Sequence, residues 1–314
     1  MLDLYLFAGN AHPRLARDVA AYLHTPLRER LLTRFADGET RVEIHENVRG
    51  RDVFILQPTC TASTGSVNDH LMELLVMVDA VRRASANRVT AVVPYFGYAR
   101  QDRKDKPRVP ITAKLVANLL VRAGIDRLLT MELHAGQIQG YFDIPVDHLY
   151  AKPIFLEEMR RFPAEELVIV APDAGSAKVN RSYADRLNSG FAIVGKSRFA
   201  ADSSKALTLT GDVRDKHCFI IDDVIATGGT MVNAARMLKE HGARSVRAAV
   251  AHGVFAGPAF ERLADSVFEE FIVTDTIPLR EGAPPVIRQV SVARLLGEAI
   301  RRTHFQLSIS SLFV

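Results

Sequence analysis

The chain has 314 residues and a formal net charge of only +4, from 40 basic and 36 acidic side chains. Hydrophobic residues make up 48% of it, which is enough for globular cores, yet no apolar run is long enough to span a bilayer. The near-balanced charge, without a block of Lys or Arg, argues against nucleic acid, and Cys60 and Cys218 have neither disulfide nor zinc spacing. We therefore expect a soluble, cytoplasmic protein with no membrane or nucleic-acid partner.

Apolar runs rich in branched residues alternate with helical patterns along the chain, which is typical of parallel α/β sheets. The predicted strands, in chain order, cover residues 4–7, 53–56, 89–93, 128–131, 167–170, 191–194 and 219–221. The predicted helices cover residues 13–23, 68–84, 112–123, 174–187 and 231–241, the last of which is ended by Gly242. The polar, proline-containing segment 147–163 predicts a connection, so we expect two domains, 1–148 and 149–314.

A turn in the first half carries two carboxylates beside an aromatic ring. Gly38 permits a tight turn between two extended segments, and this turn would present Asp37 and Glu39 on one rim next to Phe35. Such a group could receive a ribose and an adenine ring, although the same sequence is also a common turn.

A dense run of charged side chains follows in residues 98–110, which include Arg100, Gln101 and Asp105. The run is too polar for a core, and its prolines oppose a stable helix, so it predicts a mobile loop. Two interpretations stay open: a solvated charged segment, or a lid whose cations close over a polyphosphate.

Polar side chains follow several of the predicted strands, where an α/β sheet presents its catalytic edge. His134 follows one strand and Asp173 another, and together they would be a reasonable nitrogen and oxygen pair for a magnesium-loaded nucleotide. Lys196 and Arg198 follow a third strand and would point to one side if it continued. Paired cations of this kind can neutralise charge on a transferred phosphoryl group, but surface cations at strand ends are also ordinary.

The most informative segment is 217–230, an apolar strand followed by Asp222, Asp223 and the turn Thr227-Gly228-Gly229-Thr230. The glycines let backbone N–H groups converge ahead of the next helix, where a phosphate would be favoured. The two carboxylates could accept hydrogen bonds from vicinal sugar hydroxyls or hold a divalent cation. The segment therefore predicts a site for a phosphorylated sugar, and it lacks the spacing of a Walker A or dinucleotide fingerprint.

This segment resembles the phosphoribosyl-pyrophosphate loop, which is carried by phosphoribosyltransferases and by ribose-phosphate pyrophosphokinases. Motifs along nearly the whole chain are similar to the second family. They are Arg34-Phe35-Ala36-Asp37-Gly38-Glu39, Tyr98-Ala99-Arg100-Gln101-Asp102, Leu133-His134-Ala135, residues 137–145, residues 298–304 and Ser310-Ser311-Leu312-Phe313.

The resemblance implies an α/β fold of two phosphoribosyltransferase-type domains, each with a mainly parallel sheet flanked by helices. It implies transfer of the pyrophosphoryl group of ATP to O1 of ribose 5-phosphate, with Mg²⁺ as cofactor. The first domain would bind ATP and the second the sugar phosphate, and the last helix would pack back on the first domain. The implied ATP-binding residues are Phe35, Asp37, Glu39, Arg100, Gln101, Asp105 and His134.

The remaining implied roles divide into sugar binding, metal binding and catalysis. The implied metal ligands are His134 and Asp173, and the implied catalytic residues are Lys196 and Arg198. The implied residues for ribose 5-phosphate are Asp222, Asp223, Thr227, Gly228, Gly229 and Thr230.

The chain departs from the family pattern at Ala226, where the best-known members carry a third aspartate, and at Ser197 between the two catalytic cations. Many members are hexamers that ADP inhibits and inorganic phosphate activates, so a homo-oligomer is expected. The positions of that effector site are Arg49, Ser85, Arg108, Ser308 and Ser310, while Asn47, Pro107 and Ser311 replace the residues that are usual nearby.

Two alternative functions remain at this point. A non-catalytic homologue that regulates active subunits is favoured only by Ala226, because the expected cations are kept. A phosphoribosyltransferase would need a nucleobase site and would have no use for a complete ATP-binding half.

Overall fold

The structure is a computed structural model, and it describes residues 3–196 and 207–312. The chain forms two compact units. Unit 1 comprises Met1–Tyr150, Thr276–Arg280 and Ser291–Val314, and unit 2 comprises Ala151–Asp275 and Glu281–Val290. No helix in the part of the chain that the structure describes is long and apolar enough to cross a membrane.

Unit 1 is built around a parallel sheet of five strands in the order β1-β4-β5-β6-β7. Its elements up to residue 150 are β1 (Leu4–Ala8), α1 (Pro13–Tyr22), β2 (Arg30–Arg34), β3 (Thr40–Ile44), β4 (Asp52–Leu56), α2 (Val67–Arg83), β5 (Arg88–Val93), α3 (Thr112–Ala123), β6 (Arg127–Met131) and β7 (Val146–Leu149). Alternate strand residues such as Val53 and Ile55 pack against Leu74 and Met77 of α2 in one apolar core, as the two-residue period of a strand requires. Strands β2 and β3 form a separate antiparallel hairpin.

Unit 2 contains a sheet of seven strands in the order β10-β9-β8-β11-β12-β13-β14, in which only β10 is antiparallel to its neighbour. The elements from residue 151 onward are α4 (Lys152–Met159), β8 (Leu167–Ala171), α5 (Ala177–Leu187), β9 (Gly190–Lys196), β10 (Leu207–Thr210), β11 (His217–Ile225), α6 (Gly229–Glu240), β12 (Ser245–Gly253), α7 (Ala259–Ala264), β13 (Glu270–Thr274), β14 (Ile287–Val290) and α8 (Ala293–His304), of which α8 belongs to unit 1.

The order of the strands in unit 2 reverses between β8 and β11. From β8 the chain passes through α5 to β9 on one side, and from β11 it passes through α6 to β12 on the other side. Connections that leave two adjacent strands in opposite directions open a crevice at the carboxyl ends of those strands, where open α/β sheets bind ligands. The fold of unit 2 therefore places a crevice beside the residues that follow β8 and end β11.

The predicted parallel α/β organisation is confirmed, but several boundaries were wrong. Segment 147–163 is not a plain connection, because it contains the end of β7 and helix α4, whose Pro153 lies in the first helical turn, where a missing N–H costs nothing. Helix α5 begins at Ala177 and not at residue 174. Strand β11 runs to Ile225, since Asp222 and Val224 keep pairing with β12 after β8 has ended.

Candidate active site

Two acidic segments of unit 2 lie where the strand order predicts a crevice. Asp173 follows β8, and its Oδ1 accepts a hydrogen bond from the Ser176 N–H at 2.8 Å, which closes a turn ahead of α5. Asp222 and Asp223 lie near the end of β11, in the part of that strand that β8 no longer flanks. The charge of Asp173 acts on Asp222, so the two segments form one electrostatic group.

The Asp222 carboxyl has an unusual titration because of this environment. Burial, followed by the negative charge of Asp223 and a hydrogen bond with its side chain, raises the pKa of Asp222 to about 8, and only the hydrogen bond from the Asp223 backbone N–H opposes this shift. The Asp223 N–H donates to Asp222 Oδ1 at 3.0 Å. Nearby cations or hydroxyl donors stabilise the ionised form of such a carboxylate pair. This property is expected of a site for a sugar or a metal ion.

The turn after β11 has the backbone that an anion site requires. Gly228 has φ +77 and is the N-cap of α6, and no side chain caps that helix. Thr227 and Thr230 are exposed on either side of the glycines. Since uncapped N–H groups at the start of a helix attract anions, Gly228, Gly229 and both threonines are well placed for a phosphate.

Two residues that the sequence analysis did not single out support these segments. Arg262 of α7 donates from Nη1 to the Thr227 carbonyl at 2.9 Å, so a cation borders the turn. Asn180 of α5 donates from Nδ2 to the carbonyls of Ser176 and Ile221, both at 3.1 Å, and is only 1% exposed. Its amide orientation is fixed because both partners are acceptors, and it connects the turn after β8 to the end of β11.

Asn180 also carries an unsatisfied acceptor. Its Oδ1 is buried and has no hydrogen-bond partner among the described residues. One sequence signal could have identified it: Asn180 occupies the same helical face as Tyr183 and Ala184, which are both buried, so a polar residue stands at an apolar position.

Unit 1 contains a cavity of about 400 Å³. It is lined by Arg100, Gln101, Asp102, Arg103, Asp105, Val109, Pro110 and His134. The structure thus brings together four of the residues predicted to bind ATP, namely Arg100, Gln101, Asp105 and His134. Two guanidinium groups in one cavity suit a polyphosphate.

The charged segment that forms this cavity is attached to its surroundings at both Gln101 and Asp102. The Gln101 carbonyl accepts from the Ala113 N–H at 3.1 Å, at the start of α3. Asp102 Oδ2 accepts from Gln137 Nε2 at 3.0 Å, and the Tyr141 hydroxyl donates to the Asp102 carbonyl. Residues 98–110 form neither helix nor strand, as predicted.

The turn of Phe35, Asp37 and Glu39 joins β2 to β3, and it does not line the cavity. Gly38 has φ +94, and the Phe35 N–H donates to the Glu39 carbonyl at 2.8 Å. The Phe35 ring is 50% exposed, with the Arg41 guanidinium 5.6 Å from its centroid. An exposed aromatic ring beside two carboxylates is suited to a nucleoside, but none of these three residues lines the cavity of unit 1.

Comparison with known proteins agrees with these features. The N-terminal domain of ribose phosphate pyrophosphokinase matches residues 4–124, and the phosphoribosyl synthetase-associated domain matches residues 197–314. The ribose-phosphate pyrophosphokinase of Campylobacter jejuni subsp. jejuni is 50% identical over 309 residues, which cover 98% of each chain. Ribose-phosphate pyrophosphokinase A of Dictyostelium discoideum is 51% identical over 310 residues, which cover 98% of this chain and 97% of that protein. The chain belongs to the ribose-phosphate pyrophosphokinase family.

A solved structure supports the same assignment. The crystal structure of phosphoribosylpyrophosphate synthetase from Mycobacterium smegmatis has a TM-score of 0.90 and 42% identity, and covers 97% of this chain and 99% of that chain. Family membership confirms the resemblance and the fold class, and it makes the chain a transferase of nucleotide biosynthesis.

The two cations predicted to act in catalysis cannot be placed. Arg198 lies outside the described residues, and of Lys196 only the backbone is described, as the last residue of β9. Their role remains a prediction from the family pattern.

The positions predicted for the family's effector site fall into separate groups in unit 1. The Gly50 N–H, next to Arg49, donates to the Ser85 carbonyl at 2.9 Å. Ser308 Oγ donates to Ser310 Oγ at 3.1 Å, and Arg302 Nη1 donates to the Ser308 carbonyl at 3.1 Å. Arg108 has φ +63 within the charged segment.

The predicted metal ligands belong to different units, His134 to unit 1 and Asp173 to unit 2. Within residues 3–196 and 207–312, no group of three or more His, Cys, Asp and Glu side chains is arranged to hold a metal ion. Magnesium commonly binds through one or two carboxylates together with substrate phosphates and water. The carboxylate of Asp173 can supply one such oxygen ligand within unit 2.

Proposed function

We propose that the chain transfers the β,γ-pyrophosphoryl group of MgATP to O1 of ribose 5-phosphate, giving 5-phosphoribosyl 1-pyrophosphate and AMP. The observation that carries this proposal is the segment at the end of β11 in unit 2, where an acidic pair and an uncapped glycine turn follow one another. Carboxylates suit the sugar hydroxyls and the turn suits the phosphate, so the two halves of the segment match the two halves of a sugar phosphate.

In the sugar site, Gly228, Gly229, Thr227 and Thr230 would bind the phosphate through N–H and hydroxyl donors. Asp222 and Asp223 would accept hydrogen bonds from the ribose hydroxyls. Because burial and Asp223 raise the pKa of Asp222 to about 8, the free pair retains a proton near neutral pH, and hydroxyl donors or a cation would favour its release. The segment would thereby orient the sugar with O1 facing the donor.

For ATP, we propose that Arg100, Gln101, Asp105 and His134 act from the cavity of unit 1. This is supported by the shared lining of that cavity and by its two guanidinium groups. Phe35, Asp37 and Glu39 are proposed to bind the nucleoside, with the exposed ring stacking on adenine and the carboxylates accepting from ribose.

The proposed cofactor is Mg²⁺, with His134 and Asp173 as its protein ligands. When bound, it would screen the charge of the polyphosphate during transfer. Lys196 and Arg198 are proposed to stabilise the same charge, and the bound substrates are held so that O1 attacks the β-phosphorus in line with AMP as the leaving group. No covalent intermediate with the chain is required.

Regulation and assembly are proposed by analogy with the family. The chain would form a homo-oligomer, either a hexamer or another assembly of dimers, with ADP and inorganic phosphate acting at Arg49, Ser85, Arg108, Ser308 and Ser310. Within unit 1, Gly50 beside Arg49 is bonded to Ser85, and Ser308 is bonded to Ser310. A cytoplasmic location remains a prediction from the sequence.

The first experiment is to measure AMP formed by the purified protein from ATP and Mg²⁺, with and without ribose 5-phosphate. We expect sugar-dependent AMP, and we expect Lys196→Ala and Asp222→Asn to abolish it while Asp185→Asn, on an exposed face of α5, retains it. Nucleobase-dependent release of pyrophosphate would instead reveal a phosphoribosyltransferase. Binding of both substrates without AMP would favour a regulatory homologue and would direct attention to Ala226.

A further inference from the structure

The turn that carries His134 to the cavity of unit 1 has a strained backbone. Glu132, directly after β6, has φ +38, a left-handed conformation that is unfavourable for a residue with a Cβ. Such conformations cost free energy and persist only where the surrounding contacts determine them, often near functional sites.

The neighbouring strand β7 supplies two of the contacts that hold this turn. The Glu132 N–H donates to the Leu149 carbonyl at 2.9 Å, which continues the sheet by one residue. The next N–H, that of Leu133, donates to Nε2 of the His148 side chain at 2.8 Å. A ring nitrogen thus takes the place of a backbone acceptor where the chain turns away from the sheet.

His148 is well fixed for this role. It is only 4% exposed, and its ring lies 4.5 Å from the Tyr150 ring, centroid to centroid. Because Nε2 accepts from an N–H, that nitrogen must be unprotonated, which selects one tautomer. Leu133 is itself buried, so the turn is held on both sides just before His134 reaches the cavity.

We propose that His148 is a positioning residue for nucleotide binding: by accepting the Leu133 N–H, it fixes the strained turn that presents His134 to the cavity. This inference rests on the proposed function of that cavity as the ATP site. His148 acts through the turn and does not itself line the cavity. Loss of its acceptor should therefore weaken the binding of MgATP and leave the binding of ribose 5-phosphate unchanged.

Two near-isosteric variants separate the acceptor from the bulk of the side chain. In His148→Gln, Oε1 can occupy the position of Nε2 and accept the Leu133 N–H, whereas in His148→Met no comparable acceptor is present. Both variants lose the ring that packs beside Tyr150. Rescue by Gln would therefore identify the hydrogen bond as the cause, and equal damage in both would identify packing.

A matched control removes a different buried hydrogen bond from the same sheet. Thr130 is fully buried, pairs with His148 in the sheet register, and donates from Oγ1 to the Val93 carbonyl at 2.7 Å. Thr130→Val should lower the thermal midpoint without touching the turn. This variant shows how much a general loss of stability by itself changes KM and kcat.

The readouts are KM for MgATP, KM for ribose 5-phosphate, kcat, and calorimetric affinity for the magnesium complex of α,β-methylene ATP. For His148→Met we expect KM for MgATP and the analogue Kd to rise about tenfold, the effect of one lost buried hydrogen bond. KM for ribose 5-phosphate should stay within about twofold, and His148→Gln should restore both nucleotide constants to within about twofold of the wild type. Thr130→Val should change neither KM.

Three results would overturn the proposal: unchanged nucleotide constants in His148→Met, equal impairment in His148→Gln and His148→Met, or a parallel rise in KM for both substrates. If His148→Met does not fold, His148→Gln decides alone, since wild-type nucleotide affinity in a folded variant without the ring supports the acceptor role and weakened affinity refutes it. Failure of the proposed function has a separate signature, namely that the wild type forms no AMP. The calorimetric comparison still tests the positioning role in that case.

Discussion

His304 donates a hydrogen bond from Nδ1 to Oδ2 of Asp52 at 2.6 Å, across 252 positions of the sequence. Asp52 is completely buried, and Arg88 Nε donates to its other oxygen at 2.7 Å. Arg88 Nη2 also donates to the Thr303 carbonyl at 3.2 Å. The C-terminal end of α8 is thereby attached to the first residues of β4 and β5, all within unit 1.

We expect His304→Leu to weaken this attachment. The substitution leaves a buried carboxylate with fewer donors, so the free energy of unfolding should fall by about 1–3 kcal/mol. Thermal unfolding measures the loss, and hydrogen exchange should increase in α8 ahead of the sheet. Arg83→Ala, which removes only the exposed pair with Asp79, is the control and should leave the thermal midpoint almost unchanged. Equal midpoints for the two variants would contradict the structural role of His304.

Helix α8 also depends on a glycine at its contact with α1. A Cβ on Gly297 would overlap the Tyr22 ring, whose hydroxyl donates to Glu298 Oε2 at 3.0 Å. Gly297→Val should therefore lower the free energy of unfolding by about 1–3 kcal/mol, the usual cost of overpacking. The loss should shrink in a Tyr22→Ala background, because the overlapping ring is then absent. Additive losses in a double-mutant cycle of thermal midpoints would show that the contact is not the cause.

The sequence predicts the fold well because the strands are short apolar runs with regular alternation, a signal that is local. The prediction fails where a structural feature depends on a contact between residues that are distant in the sequence. The apolar run predicts that this strand ends at residue 221, yet β12 pairs with Asp222 and Val224, which β8 no longer flanks. That one-sided pairing depends on which strands are the neighbours of β11.

The same limit explains which site residues were missed. The functional groups of residues 222–230 are contiguous in the sequence, so a sequence motif identifies them. Asn180 and Ile221 are 41 positions apart, and His148 reaches Leu133 across 15 positions. Such supporting side chains become visible only when the sheet order is known, whereas the residues they support are visible in the sequence.

The acidic pair predicts a pH dependence of stability. Burial, and then Asp223, raises the pKa of Asp222 from 3.8 to about 8, so the folded protein holds a proton that the unfolded chain releases at lower pH. Its contribution to the free energy of unfolding is complete below about pH 4 and is lost as pH rises toward about 8. Asp222→Asn cannot ionise, so its thermal midpoint should exceed that of the wild type at about pH 8, and the difference should narrow as pH falls toward about 4.

Thermal unfolding of both proteins across this range, in substrate-free buffer, measures the effect. Asp185→Asn, an exposed carboxylate paired with Arg181, serves as the control and should follow the wild type at every pH. If the thermal midpoints of the wild type and Asp222→Asn changed with pH in parallel, the proton would not be held on this pair. A lower midpoint for Asp222→Asn at high pH would contradict the burial of the charge.

Asn180 should affect the binding of ribose 5-phosphate and not that of MgATP, because it connects the turn after β8 to the end of β11. In Asn180→Leu the Ser176 and Ile221 carbonyls lose the amide donor, while the buried, unpartnered Oδ1 is removed as well. These changes offset each other in stability, so the thermal midpoint should change little. The position of Asp222 would be less fixed, and KM for ribose 5-phosphate should rise about tenfold with KM for MgATP unchanged. Steady-state AMP formation with each substrate varied in turn decides between this outcome and a parallel loss of both affinities, which would assign Asn180 to the general packing of unit 2.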